Sequence, residues 1–253
     1  MERTNKIALV TGSSRGLGKE AALAIARRGI DVIITYRSKK EEAAEVVASI
    51  EAAGQKAVAL ALNVANTKSF AGFVQELAVT LDKHWNTTQF NFLVNNAGID
   101  SRSLFPDTTE DAFDDLMNVH FKGTYFLTQK LLPLIADGGR IINLSTGLAR
   151  FATPGYSAYA SMKGAIEVFT RYLAKELGAR KISANVVAPG IVKTDFTKAA
   201  FEHPGLEEYM SSQTALGRVG VPEDIGGVIA FLCSEEARWI NAQRIEASGG
   251  LFL

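Results

Sequence analysis

Tyr159 and Lys163 lie four positions apart in Tyr159-Ala160-Ser161-Met162-Lys163, a spacing that sets a phenol and an ammonium on one face of a helix. A free tyrosine titrates at about 10 and is a poor acid or base near neutrality, but a neighbouring cation favours its phenolate. Such a pair suits proton exchange with a substrate oxygen. Alone, it also decorates many surface helices, so its meaning depends on what the rest of the chain sets beside it.

A second feature is Thr11-Gly12-Ser13-Ser14-Arg15-Gly16-Leu17-Gly18, which follows a short apolar run and opens a helical pattern near Leu17. In that context Gly12 takes backbone angles barred to other residues, Gly16 lets the main chain approach a pyrophosphate, and Gly18 lets the helix pack closely on the strand. The helix start, including Ser14 and Leu17, offers free N–H groups and a positive dipole. Three glycines by themselves describe an ordinary tight turn, and it is the strand, turn, helix context that points to a nucleotide. No Lys-Ser/Thr pair follows, which excludes the NTPase loop and favours a dinucleotide. Tyr36-Arg37-Ser38 ends the second apolar run, where an NAD-specific site carries Asp or Glu. Arg37 and Ser38, with Arg15, instead suit a 2′-phosphate, which predicts NADP(H) over NAD(H). An oxidised nicotinamide there would join Lys163 in favouring the Tyr159 phenolate.

The elements that must position these groups alternate along the chain. Short apolar runs at 7–10, 31–36, 57–62, 90–94, 140–144, 182–187 and 244–247 read as buried parallel strands. Amphipathic stretches at 19–28, 40–53, 68–81, 112–132, 157–177 and 223–233 read as crossover helices. Together they predict an α/β fold, a doubly wound parallel sheet of the Rossmann type with helices on both faces. No linker, repeat or low-complexity tract interrupts it, so residues 1–253 are expected to form a single domain. Residues 83–89 read as a surface loop. Residues 193–214, just past a strand's C-terminal end, read as a substrate lid.

With its motifs in order over essentially the whole chain, the sequence resembles the short-chain dehydrogenase/reductase family. The matching residues are Thr11-Gly12-x-x-x-Gly16-x-Gly18, Asn95-Asn96-Ala97-Gly98, Asn118, Asn143-Leu144-Ser145-Thr146, Tyr159-x-x-x-Lys163 and Pro189-Gly190. The resemblance implies hydride transfer between NADP(H) and a carbonyl or secondary alcohol, with Tyr159 as acid/base. It implies that Asn96, Ala97 and Gly98 close the fourth strand against the cofactor, that Asn63 and Val64 stand beside the adenine, and that Pro189, Gly190, Ile191, Val192 and Thr194 line the nicotinamide end. Lys163 would bond the nicotinamide ribose and lower the Tyr159 pKa, while Asn118 would kink or hydrate its helix to hold a relay water. Asn63 replaces the family's usual Asp. The family's substrate-orienting serine lies thirteen positions before the tyrosine, at Thr146 here, with Ser145 one residue earlier. Successive strand residues point to opposite sides, so only one hydroxyl should face the substrate, and Thr146 is expected to be that one. Ser145 is grouped with the cofactor contacts. Ile240-Asn241-Ala242-Gln243 and Ser248-Gly249-Gly250 also depart from the commoner family patterns.

Composition narrows the functional classes. The chain has 253 residues, with 27 Lys+Arg against 27 Asp+Glu and no net charge, so no global field draws nucleic acid or anionic lipid. Its first apolar run is too short for a signal-peptide core or a membrane span, and one cysteine, Cys233, fits a reducing compartment. A cytoplasmic protein is expected. His84, His120 and His203 show no metal-ligand spacing, so no metal is expected; His120 reads as a packing residue that approaches the site, and Cys233 as a core residue. The resemblance implies a homotetramer built through the helices carrying Asn118 and Tyr159 and through the C-terminal segment ending Leu251-Phe252-Leu253. Two other readings stand beside a reductase of free ketones: a 3-oxoacyl-[acyl-carrier-protein] reductase, and a catalytically idle NADP(H) sensor. A basic docking patch beside the lid would favour the first.

Overall fold

The computed structural model describes residues 6–253; residues 1–5, which lead into the first apolar run, lie outside the described residues. The apolar runs form β1 (Ile7–Val10), β2 (Asp31–Tyr36), β3 (Ala57–Ala61), β4 (Phe90–Asn95), β5 (Ile135–Leu144), β6 (Ser183–Pro189) and β7 (Arg244–Ala247). They make one parallel sheet in the order β3-β2-β1-β4-β5-β6-β7. Strand order reverses between β1 and β4, and such a switch point opens a crevice at the strands' C-terminal ends.

The helices are α1 (Gly16–Ala26), α2 (Lys40–Ala52), α3 (Phe70–Trp85), α4 (Glu110–Leu116), α5 (Thr124–Leu131), α6 (Ser157–Glu176), α7 (Lys198–Phe201), α8 (Leu206–Ser212) and α9 (Pro222–Leu232). Alternate strand residues feed two cores. Val10, Val32 and Ile34 pack with Ile25 of α1, Val46 of α2 and Ile229 of α9, while Leu9 and Ile33 pack with Leu77 of α3, Leu127 of α5 and Leu173 of α6. Cys233 sits in the first of these, and burial pushes its thiol up to about 12. Among the described residues no helix is long and apolar enough to cross a membrane.

Three segments depart from the expected pattern. The stretch 112–132 is not one uniform α-helix: α4 and α5 are joined by a π-helical turn, Met117–Gly123. There Gly123 lies so close to Val64 that an added Cβ would stand 2.2 Å from its carbonyl oxygen, and a locally widened helix accommodates that approach. The expected loop at 83–89 is helical as far as Trp85, whose indole N–H donates to Asp31 Oδ2 at 2.8 Å; Asn86, left-handed at φ 51°, ends the helix. β5 begins at Ile135, well before the expected start at 140, while residues 193–214, the expected lid, carry α7 and α8.

The sheet's centre is stitched to the α5/α6 face by buried amides. Asn95 Nδ2 donates to Thr128 Oγ1 (3.0 Å) and Asn143 Oδ1 (2.8 Å), and Asn143 Nδ2 donates to Thr170 Oγ1 (2.9 Å). Removing one member strands the others without water to replace it. Asn143→Leu should cost about 2–4 kcal/mol in urea unfolding, and a loss below about 0.5 kcal/mol would show that these amides do not hold the layers together.

Candidate active site

Where β1 ends, the chain turns through Gly12 (φ 61°) and Gly16 (φ 56°) into α1. A Cβ on Gly12 would stand 2.9 Å from Ala97 Cα, and one on Gly18 would stand 2.4 Å from both Asn96 Nδ2 and Gly12 O. Gly16 has room for a Cβ, so its left-handed backbone, not crowding, calls for glycine. The end of β4 clamps this turn: Asn96 Nδ2 donates to Thr11 O (2.9 Å) and Gly12 O (3.0 Å), and the Asn96 and Ala97 amides both donate to Thr11 Oγ1 at 3.0 Å. No side chain caps α1 and no acid stands in its first turn. Its leading N–H groups therefore face the crevice with their dipole intact, a ready anion site.

From this turn a cavity of about 1330 Å³ runs to α7 and α8. Every residue singled out above as a cofactor contact borders it, as do Thr146, Tyr159 and Lys163; Asn118 does not. Arg15, Arg37 and Ser38 line one end, joined by Lys39. Arg15 lies 3.6 Å from the exposed Asp195, and Lys39 lies 3.6 Å from Glu42. A glycine turn crowded at Gly12 and Gly18 and left-handed at Gly16, open amides and a cluster of cations with no acid at the end of β2 fit a dinucleotide phosphate chain carrying a further phosphate.

At the cavity's centre α6 delivers Tyr159 and Lys163, 9% and 5% exposed. Thr146 lines the same cavity, and its hydroxyl beside the Tyr159 phenol favours the ionised form. Ser145 turns away, its Oγ donating to Glu167 Oε1 at 2.7 Å, as strand alternation requires. Lys163 Nζ donates to Leu144 O at 2.8 Å and stands 5.8 Å from the centre of the Tyr159 ring. Burial lowers the Lys163 pKa from 10.5 to about 8. The expected acidification of Tyr159 does not follow from the protein alone. Burial, followed by the Asp100 carboxylate, pushes its pKa up, and the neighbouring Thr146 hydroxyl offsets this only in part.

Asn118 sits in the π turn, half-buried and off the cavity wall. His120, two residues on, reaches the wall instead: it is 2% exposed, its Nε2 lies 2.8 Å from Ile99 O, and its ring meets that of Tyr159 edge-on at 5.1 Å. Burial, then the charge of Lys163, lowers its pKa to about 3, so the ring is neutral at physiological pH. Asp100 and Arg102 also line the cavity. Their position just after the Asn95–Gly98 motif was the available signal; their types alone carried none.

A buried ammonium beneath a phenol has a cost that can be measured. Lys163 holds its proton less tightly folded, at about 8, than unfolded, at about 10.5; the destabilisation is complete below pH 8 and fades as pH rises to 10.5. Lys163→Met should therefore raise stability at pH 7 by roughly 1–3 kcal/mol, allowing for the lost bond to Leu144. Its advantage should shrink by pH 10, and urea unfolding giving the same difference at both pH values would contradict this.

Comparison with known proteins agrees with this geometry. The family model described as enoyl-(acyl carrier protein) reductase matches residues 12–252. A 3-oxoacyl-[acyl-carrier-protein] reductase of Staphylococcus aureus is 35% identical over 253 residues, covering 99% of this chain and all of the relative. Among solved structures, the promiscuous reductase LugOII, which catalyses keto-reduction at C1 during lugdunomycin biosynthesis, superposes with TM-score 0.93 at 38% identity over the full length of both chains. The angucycline C-6 ketoreductase LanV, solved with bound NADP, gives 0.92 at 38% identity over 98% of this chain and 95% of its own. With a doubly wound sheet, a clamped glycine turn and a Tyr159/Lys163 pair in one crevice, the chain belongs to the short-chain dehydrogenase/reductase family, close to its 3-oxoacyl-[acyl-carrier-protein] reductase-like members, and is an oxidoreductase of the carbonyl/CH–OH couple that uses a nicotinamide cofactor.

Proposed function

We propose that this enzyme reduces a ketone with NADPH, and that Tyr159 donates the proton. The observation that carries the reading is the buried Tyr159 phenol, with Lys163 5.8 Å from its ring centre, sharing with Thr146 the cavity that begins at the glycine turn. In this reading the amides at the start of α1 hold the pyrophosphate, Arg15, Arg37 and Ser38 hold the 2′-phosphate, and Asn63 and Val64 flank the adenine. Lys163 holds the nicotinamide ribose, and residues 189–192 with Thr194 line the ring. NADPH, when bound, supplies hydride to the carbonyl carbon. Thr146 and Tyr159 orient the carbonyl oxygen, and the phenol proton passes to that oxygen as negative charge develops on it. A phenol whose pKa is pushed up stays protonated at neutral pH, which suits reduction more than oxidation. Asn118, beside the π turn, is assigned to the proton relay behind Lys163.

A free ketone suits the surface better than a carrier-bound acyl chain. Of the lid cations, Lys193 pairs with Glu207 at 2.6 Å, and Arg218 makes a two-pronged pair with Asp224 at 2.6 and 2.8 Å. The basic docking patch that an acidic carrier would need is thereby largely neutralised. The likeness to LugOII, which catalyses keto-reduction at C1 during lugdunomycin biosynthesis, and to the angucycline C-6 ketoreductase LanV supports the same choice. An idle sensor has no use for a phenol, an ammonium and a hydroxyl converging at one point. The homotetramer reading finds support in exposed Tyr125, Phe126, Val168 and Tyr172 on α5 and α6, and a cytoplasmic setting remains part of the proposal.

Tyr159→Phe should lower ketone reduction by about 10³-fold while NADPH binding, followed by cofactor fluorescence, stays within about twofold. Loss of both would make the tyrosine structural. Equal efficiency of wild-type enzyme with NADH and NADPH would remove the role given to Arg15 and Arg37. Separately, Thr146→Ala should cost about 10–100-fold in kcat, with Ser145→Ala milder; the reverse order would reassign the substrate-facing hydroxyl.

A further inference from the structure

Beyond β7, residues 248–252 leave the sheet and cross to the cavity. Gly249 (φ 64°) and Gly250 (φ 80°) turn the chain. The segment then pairs with the end of the lid: the amides of Ala215 and Leu216 donate to Gly250 O (3.2 Å) and Gly249 O (3.0 Å), and the Phe252 amide donates to Gln213 O (3.0 Å). On its other side it is gripped by Arg150, four residues beyond Thr146. Arg150 donates to Leu251 O (2.7 Å) and Phe252 O (3.1 Å), and its guanidinium also takes both oxygens of Glu246 at 2.9 and 2.7 Å. Arg244 continues the network, binding Glu246 (2.7 Å), Glu167 (2.7 Å) and the carbonyl of Thr146 (3.1 Å).

This grip holds Phe252 in a left-handed backbone, φ 52°, that a bulky side chain rarely adopts. Such conformations persist only where the surroundings over-determine them, and they cluster at ligand clamps. The ring it places lines the cavity and meets Phe151 at 4.8 Å and 70°. Phe151 in turn lies over Gly147, whose added Cβ would stand 2.9 Å from the Phe151 ring. Phe252 is thus one aromatic ring away from the residue next to Thr146. Around the phenol itself, the rings of Tyr156 and Phe196 lie 6.5 and 6.3 Å from that of Tyr159. Aromatic faces and edges at these spacings are the surroundings that flat rings prefer.

We propose that residues 248–252 form a specificity clasp: Phe252, fixed by Arg150, completes with Phe151 an aromatic wall that selects flat, ring-fused ketones over open-chain β-keto compounds. The proposal rests on the ketoreductase reading and names the substrate class of that same site. Arg150 and Phe252 act here on which substrate fits, and the proton and hydride steps do not pass through them.

The test compares kcat/KM for NADPH-dependent reduction of 2-tetralone, a bicyclic ketone, and ethyl acetoacetate, an open-chain one. Wild-type enzyme should favour 2-tetralone. Phe252→Ala should reduce the tetralone-to-acetoacetate ratio by about tenfold, Arg150→Met should reduce it in the same direction with the ring still present, and Phe252→Tyr should keep it. A merely structural loss would lower both substrates together and leave the ratio unmoved, and that result overturns the proposal. So does a wild-type preference for ethyl acetoacetate, which leaves the ketoreductase reading standing. If neither ketone is reduced and a wider ketone panel also fails, the ketoreductase reading falls and the clasp falls with it.

Discussion

The site depends on keeping one ammonium charged where water barely reaches. Lys163 achieves this only in part: its pKa falls to about 8, and the single protein acceptor of its Nζ is the Leu144 carbonyl. Leu144 ends β5, and Tyr159 stands one turn before Lys163 on α6, so the position of the charge fixes how α6 lies on the sheet. His120 feels the same charge, which together with burial keeps its imidazole neutral. A second cation is thereby excluded from the phenol's surroundings, and the phenol's proton is governed by Thr146, Asp100 and whatever binds between them.

That constraint explains why the interior around α6 is stitched with polar groups rather than filled with apolar ones alone. The amide chain from Thr128 through Asn95 and Asn143 to Thr170 fixes α5 and α6 against β4 and β5 in one register. Directional bonds specify a single arrangement where hydrophobic contact tolerates several. Ser145 serves the same end on the neighbouring strand. It binds Glu167 of α6, which Arg244 of β7 also holds, so β5, α6 and β7 converge behind Thr146.

Much of this was legible in the sequence. Buried parallel strands leave continuous apolar runs, and all seven were placed, most to within a residue at each end. The glycine turn was legible because its backbone admits no other residue. Less legible were features set by contacts between distant segments. The π turn at Asn118 arises where Gly123 meets the Val64 carbonyl, and the extension of α3 to Trp85 depends on Asp31, far away in sequence. The expected lowering of the Tyr159 pKa does not follow from the protein alone for the same reason: spacing reveals that an ammonium is near, but not that burial and Asp100 push the phenol's pKa up. Glu246 and Arg150 carried no signal at all, since a charged residue on an edge strand or after a strand end reads as solvated until the fold brings its partner.

The two ends of the cavity are built by different physics, and the difference follows from what each must recognise. A dinucleotide is the same molecule in every turnover, so its end is made of backbone: glycines at contact distance, amides at a helix start, and Asn96 locking the turn to β4. Nothing there can move without breaking several hydrogen bonds at once. The far end is made of side chains on α7, α8 and residues 248–252, the last tied toward Thr146 by Arg150 and by Arg244 and Glu246 of the edge strand β7. Substitutions there change the shape of the wall while leaving β1, β4 and β5 untouched. One scaffold can therefore keep its cofactor end fixed while the shape of the far wall is set by a few residues outside the central strands.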